Sequence, residues 1–127
     1  MILVTGGTGL VGCHLLYSLV KENKKVRALY RKNSKTESVR KVFSYYSKDY
    51  KKLFDKIEWV EGDINDITSL DVAFKNINEI YHCAAFISFS NQDLNAMKKI
   101  NVEGTANMIN CAIDKKINKF CYVSTIA

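Results

Sequence analysis

Proline is absent from all 127 residues, and tryptophan occurs once. Without proline there is no polyproline tract and no stiff proline-rich linker, and neither an internal repeat nor a low-complexity stretch divides the chain. One domain is therefore expected over 1–127, near the lower size limit for a doubly wound sheet. No apolar run approaches the ~20 residues of a membrane span, so no membrane association is expected. The four cysteines, Cys13, Cys83, Cys111 and Cys121, include no C-x-x-C pair and no metal-ligand spacing. Buried free thiols are expected, with neither disulfides nor a metal. An apolar strand expected from Met1 onward leaves no room for a signal or transit peptide, which makes the cytoplasm the expected location. Acid is in short supply: 19 Lys and Arg against 13 Asp and Glu leave a net charge of +6. Sixteen of the basic residues are lysines, scattered in groups such as Lys21, Lys24, Lys25 and Lys115, Lys116, Lys119. They read as solvated faces, and with no recognition helix among them nucleic acid is not an expected partner.

Glycine is scarce too, and what there is gathers at the start. The stretch Val4-Thr5-Gly6-Gly7-Thr8-Gly9-Leu10-Val11-Gly12 follows an apolar run suited to a buried parallel strand. It precedes an apolar stripe at helical spacing, Val11, Leu15, Leu16, Leu19 and Val20. Gly6 permits a tight turn, Gly9 removes a side chain where a pyrophosphate would approach, and Gly12 allows close packing of the helix. The helix N-terminus then offers free N–H groups and the positive end of its dipole to phosphate. A glycine turn in this strand-to-helix setting predicts a dinucleotide site.

Further along, strand and helix alternate. Lys25 to Tyr30, Ile57 to Glu61, Glu79 to Cys83 and Phe120 to Ser124 read as strands. Ser34-x-x-Glu37 and Thr68-x-x-Asp71 read as capping boxes. The first opens a segment with Val39, Val42, Phe43, Tyr46, Tyr50, Leu53 and Phe54 at helical spacing, as one helix or as two parted near Ser47 to Asp49. The second opens a helix burying Leu70, Ala73, Phe74 and Ile77. From about Asn91 a helical region places Thr105, Met108, Ile109, Ala112 and Ile113 on one face. Right-handed crossovers between parallel strands turn this order into an α/β, doubly wound parallel sheet of five strands with helices on both faces.

The spacing T-G-x-x-G-x-x-G, here Thr5, Gly6, Gly9 and Gly12, resembles the extended short-chain dehydrogenase/reductase superfamily, and the resemblance runs the length of the chain. It implies a Rossmann fold whose cofactor meets Gly6, Thr8, Gly9, Leu10, Val11 and Gly12. Strand two ends Leu29-Tyr30-Arg31-Lys32, without the acid that normally holds a ribose 2′-hydroxyl. A guanidinium can pair with a 2′-phosphate, so NADP is expected over NAD, with Arg31 the main contact and Lys32 the weaker. The resemblance places Asp63 and Ile64 beside the adenine, although Asp63 also suits a turn or N-cap. His82-Cys83-Ala84-Ala85 resembles the family's H-x-A-A, in which Ala84 and Ala85 let the backbone pass the ribose. His82 and Cys83 are not expected to act together, because neighbours on a strand point to opposite faces. Asn101-Val102-Glu103-Gly104-Thr105 resembles N-x-x-G-T, which implies that Asn101 supports the active-site hydrogen bonds; an interruption of the helix is the plainer reading. Val123-Ser124-Thr125 resembles V-S-[ST], with Thr125 as the catalytic hydroxyl and Ser124 on the cofactor side.

The superfamily's Tyr and Lys, in Y-x-x-x-K, belong a few tens of residues beyond Thr125. Tyr17 and Lys21 match that spacing but lie in the first helix, in the wrong unit of the fold. The chain thus reads as the cofactor half of a longer enzyme, the alternative being a short, non-catalytic NAD(P)-binding module or sensor. Phe86-Ile87-Ser88-Phe89 after the H-x-A-A motif resembles the dihydroflavonol-reductase and 3β-hydroxysteroid-dehydrogenase-like branch. That implies an NADP-dependent oxidoreductase moving hydride between nicotinamide and a ketone or secondary alcohol. A nucleotide-sugar epimerase or dehydratase is the second reading. The expected partner is a small-molecule substrate, and a homodimer of the full-length protein is compatible with the resemblance.

Overall fold

Side chains alternate across a strand, so a strand covered by helices on both sides must be apolar at every position. Ile2–Thr5 (β1) comes close to that demand: all four residues are buried and Thr5 is the one polar residue among them. In the computed structural model, which describes residues 1–125, Ile2 and Val4 face one helical layer and Leu3 faces the other. Leu10–Lys21 (α1) follows, then Val26–Tyr30 (β2), Thr36–Tyr46 (α2), Tyr50–Phe54 (α3), Ile57–Glu61 (β3), Ile67–Ala73 (α4) and Glu79–His82 (β4). A 3-10 turn, Asn91–Asp93, leads into Leu94–Lys98 (α5), a π-helical turn Lys99–Gly104, Thr105–Asp114 (α6) and Lys119–Tyr122 (β5).

The five strands are parallel, in the order β3-β2-β1-β4-β5. The doubly wound sheet expected from the sequence is therefore present. The chain winds outward from β1 to β3, then crosses back to β4, and the sheet's switch point falls between β1 and β4. On one face α1, α2 and α3 bury Leu16, Tyr17, Val20, Val39, Phe43 and Phe54. On the other, α4 and α6 bury Leu70, Ala73, Phe74, Met108 and Ala112. Arg27 ties this second layer to the sheet edge: its guanidinium pairs with Glu58 at 2.9 Å and donates to the Ala73 and Lys75 carbonyls at 2.8 and 2.7 Å.

Several local expectations are corrected. Ser34 caps no helix; α2 begins at Thr36 behind Lys35, which makes no side-chain cap, and Ser34 turns toward the cleft described below. The α4 cap is Asp66, whose Oδ1 accepts the Thr68 N–H at 3.0 Å, so the helix starts ahead of Thr68. An ionised carboxylate two residues upstream outcompetes the hydroxyl for the same first-turn donors. The segment from Thr36 is two helices, parted at Ser47 to Asp49. Val11, Tyr46, Ile109 and Ile113 are exposed, because each helix turns a narrower face to the sheet than its apolar pattern suggests. Among the thiols only Cys13 is buried; Cys83, Cys111 and Cys121 are half-buried, and all four are free. The charge is also unevenly spread along the chain. Residues 31–56, the α2–α3 region, carry nine Lys and Arg against three Asp and Glu, which accounts for the whole +6.

Candidate functional site

At the carboxyl end of the sheet, above the switch point, a cleft opens between the β1–α1 turn and the segment after β4. Its floor begins at Gly6. A φ of +67° lets the chain leave β1 in a conformation that side chains resist, and a Cβ there would stand 2.6 Å from the backbone of Cys83 and Ala84. The turn closes with the Gly9 N–H donating to the Gly6 carbonyl at 2.9 Å, and Gly9 then serves as N-cap of α1 without a side-chain bond. At Gly12 a Cβ would lie 2.2 Å from the Gly6 carbonyl oxygen, so the first turn of α1 packs directly on the glycine turn. By helical geometry the N–H groups of Leu10, Val11 and Gly12 have no acceptor within α1 and point back toward the turn.

Of the residues marked from the sequence, Gly6, Thr8, Gly9, Arg31, Asp63, Ile64, Ala84 and Ala85 line the cleft. It brings in residues the sequence did not mark: Thr5, Leu29, Tyr30, Ser34, Gly62, Cys83 and Ile100. Leu10, Val11 and Gly12 do not line it, and the side chains of Leu10 and Val11 are exposed. Lys32 lines an adjoining groove with Arg31, Asn33, Ser34, Glu61, Gly62, Asp63 and Asp66. Two of those acids are already engaged. Asp63 Oδ1 accepts the Asn65 N–H at 2.9 Å, the turn role foreseen for it, and Asp66 caps α4. Ser69 Oγ braces the same corner, accepting the Asp63 N–H at 3.0 Å. Ile64 is held from α6, where Asn107 Nδ2 donates to its carbonyl at 3.0 Å.

The opposite wall is placed by side chains. Asn101, in the π-helical turn, grips Phe86 twice: Oδ1 accepts the Phe86 N–H and Nδ2 donates to the Phe86 carbonyl, both at 2.8 Å. Beyond it, Ser88 Oγ donates to Asp93 at 2.6 Å, while Ile87 and Phe89 stand exposed. His82 and Cys83 diverge as expected. The thiol reaches the cleft, with its pKa raised by burial and secondarily by Cys121. The imidazole is fully buried between Thr5 and Thr105. Burial lowers its pKa to about 4, so the ring is neutral at pH 7. Ser124 and Thr125 are exposed beyond β5, which ends at Tyr122, and neither lines the cleft. Tyr17 lies in the core, stacked on Tyr46 at 4.4 Å with Lys21 Nζ 5.9 Å from its ring, so this pair has no place in the cleft.

The cleft fits a dinucleotide. Among the described residues the one close neighbour of a Cβ at Gly9 would be the Gly6 carbonyl at 3.3 Å, which leaves the rest of that space open to a phosphate beside the α1 N-terminus. Leu29, Ile64 and Ile100 supply apolar surface for a base.

Known proteins share this arrangement. The male sterility protein NAD-binding family matches residues 4–127. A putative dihydroflavonol 4-reductase of Synechocystis is 33% identical over 124 residues, covering 98% of this chain and 32% of the relative. A UDP-glucose 4-epimerase of Rickettsia rickettsii is 28% identical over 131 residues, covering 98% and 36%. Among solved structures, a short-chain dehydrogenase/reductase superfamily protein of Agrobacterium tumefaciens with bound NAD superposes with a TM-score of 0.77 at 27% identity, covering 98% and 32%. The chain thus spans about a third of the length of the curated relatives it matches. By sequence match, sheet order and glycine turn, the chain belongs to the male sterility protein NAD-binding family, within the NAD(P)-binding short-chain dehydrogenase/reductase superfamily.

Proposed function

We propose that the protein is an NADP-dependent oxidoreductase of the extended short-chain type, acting on a ketone or secondary alcohol. The observation that carries the cofactor choice is Arg31, at the end of β2 and on the cleft, with no acid between Leu29 and Lys32. A carboxylate there would repel a 2′-phosphate, whereas a guanidinium pairs with it. The α2–α3 region adds a positive local field, and the nearby Asp63 and Asp66 spend one carboxylate oxygen each on backbone N–H groups. When bound, the nicotinamide supplies or accepts the hydride. The glycine turn and α1 N-terminus would hold the pyrophosphate, and Asn101 holds Phe86, next to the cleft-lining Ala85, through two hydrogen bonds. Thr125 would hydrogen-bond the substrate oxygen, with the acid–base Tyr and Lys supplied from outside these 127 residues. The exposed Ile87 and Phe89 favour an apolar carbonyl substrate over a sugar nucleotide.

Epimerase or dehydratase chemistry is the second reading, supported by the 28% identity to a UDP-glucose 4-epimerase. The NAD held by the Agrobacterium relative bears on the cofactor choice from the other side. Parallel titrations with NADPH and NADH decide it. NADPH is expected to bind at least tenfold more tightly, and Arg31→Ala to remove most of that difference while leaving NADH affinity within twofold. Tighter NADH binding, or indifference to Arg31→Ala, overturns the NADP assignment. A panel of apolar ketones set against UDP-sugars then separates reductase from epimerase.

A further inference from the structure

His14 is partly exposed on α1, whereas His82 is sealed at the end of β4 with no exposure. Its ring bridges three elements. Nδ1 lies 2.6 Å from the Thr5 hydroxyl at the end of β1, and Nε2 lies 3.0 Å from the Thr105 hydroxyl at the start of α6. The Thr5 hydroxyl also accepts the Ala84 N–H at 3.3 Å. From the β5 side the Tyr122 ring stacks on the imidazole, centroids 5.4 Å apart.

A neutral imidazole carries one N–H, and the three contacts favour one tautomer. With the proton on Nε2, the bonds run head to tail. Ala84 N–H donates to Thr5 Oγ1, Thr5 O–H donates to His82 Nδ1, and His82 Nε2–H donates to Thr105 Oγ1. With the proton on Nδ1, the Thr5 oxygen would accept twice and its own proton would find no acceptor within this cluster. A fully buried hydroxyl left in that state is costly.

We infer that His82, as the Nε2–H tautomer, is a positioning residue for the cofactor cleft: it orients the Thr5 hydroxyl to hold the Ala84 N–H and so fixes the spacing of the two cleft walls. Thr5 leads directly into Gly6, and Gly6 packs on the Cys83–Ala84 backbone so closely that no Cβ fits between them. Rotation of the Thr5 hydroxyl would release the Ala84 N–H where the two walls touch, leaving the Cys83 N–H on the Thr5 carbonyl at 3.2 Å. This inference rests on the dinucleotide reading of the cleft.

Asparagine and glutamine separate the two ring nitrogens. The amide oxygen in His82→Asn falls where Nδ1 lay and can accept from Thr5; the amide nitrogen in His82→Gln falls where Nε2 lay and can donate to Thr105. NADPH affinity is expected to be rescued to within threefold of wild type in His82→Asn, and to fall about tenfold in His82→Gln and Thr5→Val. Thr5→Ser, which keeps the hydroxyl, provides the second rescue. Without any cofactor, hydrogen exchange at the Ala84 amide should be at least tenfold faster in His82→Gln and Thr5→Val and near wild type in His82→Asn and Thr5→Ser. Affinity that follows thermal stability regardless of which nitrogen is replaced would overturn the inference, as would an Ala84 amide indifferent to all four substitutions. A wild-type protein that binds neither NADPH nor NADH would defeat the dinucleotide reading instead, with Ala84 exchange still deciding the role of His82.

Discussion

The cleft wall that starts at Gly6 is closed mainly by main-chain bonds, whereas the segment Cys83 to Ser88, whose Cys83, Ala84 and Ala85 line the other wall, has one main-chain bond from the Cys83 N–H to the Thr5 carbonyl and is otherwise held by side chains reaching from elsewhere. In the first, Gly9 bonds to Gly6, the Cys13 N–H to Gly9, and Gly12 rests on the Gly6 carbonyl, all within eight residues. In the second, Thr5 holds Ala84 from 79 residues away and Asn101 holds Phe86 from 15 away, while Met97 Sδ meets the Ser88 N–H at 3.3 Å. At Gly6 and Gly12 the backbone wall leaves no room for an added atom. A wall made of side chains loses its supports one at a time, so it can be retuned without dismantling the fold. The proposed phosphate site, the same for every dinucleotide, lies on the first wall, and the apolar loop proposed to meet the substrate extends from the second.

The sharpest way to break that contrast is to add one carbon to the backbone wall. Gly12→Ala places a Cβ 2.2 Å from a carbonyl oxygen, and neither atom can move without shifting β1 or α1. Overpacking of this kind costs about 1–3 kcal/mol or more. Dinucleotide affinity is expected to drop by about 100-fold or to vanish, as read by NADPH titration. An affinity within threefold of wild type would show that the turn can give way.

Acid probes the other wall through His82. Its pKa is about 4 in the fold against 6.5 for an unhindered ring, so the unfolded chain takes up the proton first as pH falls. The contribution of the neutral ring is complete above about pH 6.5 and is lost progressively down to about pH 4, a difference of about 3 kcal/mol. Urea unfolding at pH 7, 5.5 and 4.5, compared between wild type and His82→Asn, isolates this part from the carboxylates. Equal pH slopes for the two proteins would remove His82 from the account.

Asn101→Ala should have a smaller, local effect. It deletes two hydrogen bonds to Phe86, at about 1 kcal/mol each. Exchange at the Phe86 amide should rise by about tenfold or more, with NADPH affinity changed by less than threefold. A large loss of affinity would mean that the two walls are not independent. The smallest expected effect is that of Lys32→Ala, which lies in the adjoining groove rather than the cleft and should weaken NADPH by less than threefold. A loss matching that of Arg31→Ala would reverse the order of the two residues.

The two walls also differ in how far they could be read in advance. Gly6, Gly9 and Gly12 announce their wall because each acts through the absence of a side chain at a fixed short spacing. Asp63 was legible as a turn former, and Arg31 as the basic end of β2. Ser34 misled: as a hydroxyl three residues before Glu37 it looked like a cap, but it serves the cleft edge, and α2 starts without a side-chain cap. Asn101 was marked, but its grip on Phe86 was not, because a π-helical turn and a loop 15 residues away must first be brought together. Nothing local flagged Thr5 or Asn107 as supports. Their partners, Ala84 and Ile64, are main-chain groups on other strands' ends, and a backbone N–H or carbonyl carries no signature in the sequence.

By itself, then, the sequence determined what depends on neighbours along the chain: parallel buried strands, helices with one apolar face, a glycine turn at the first strand-to-helix junction, and a basic rather than acidic end to β2. Tertiary structure alone decided which distant groups meet. It sealed His82 between two threonines and kept it neutral, and turned Asn101 from an apparent helix interruption into the anchor of the Phe86 loop. Steric spacing and periodicity are local and survive in one dimension, whereas burial and hydrogen bonding across a sheet exist only once the strands have paired.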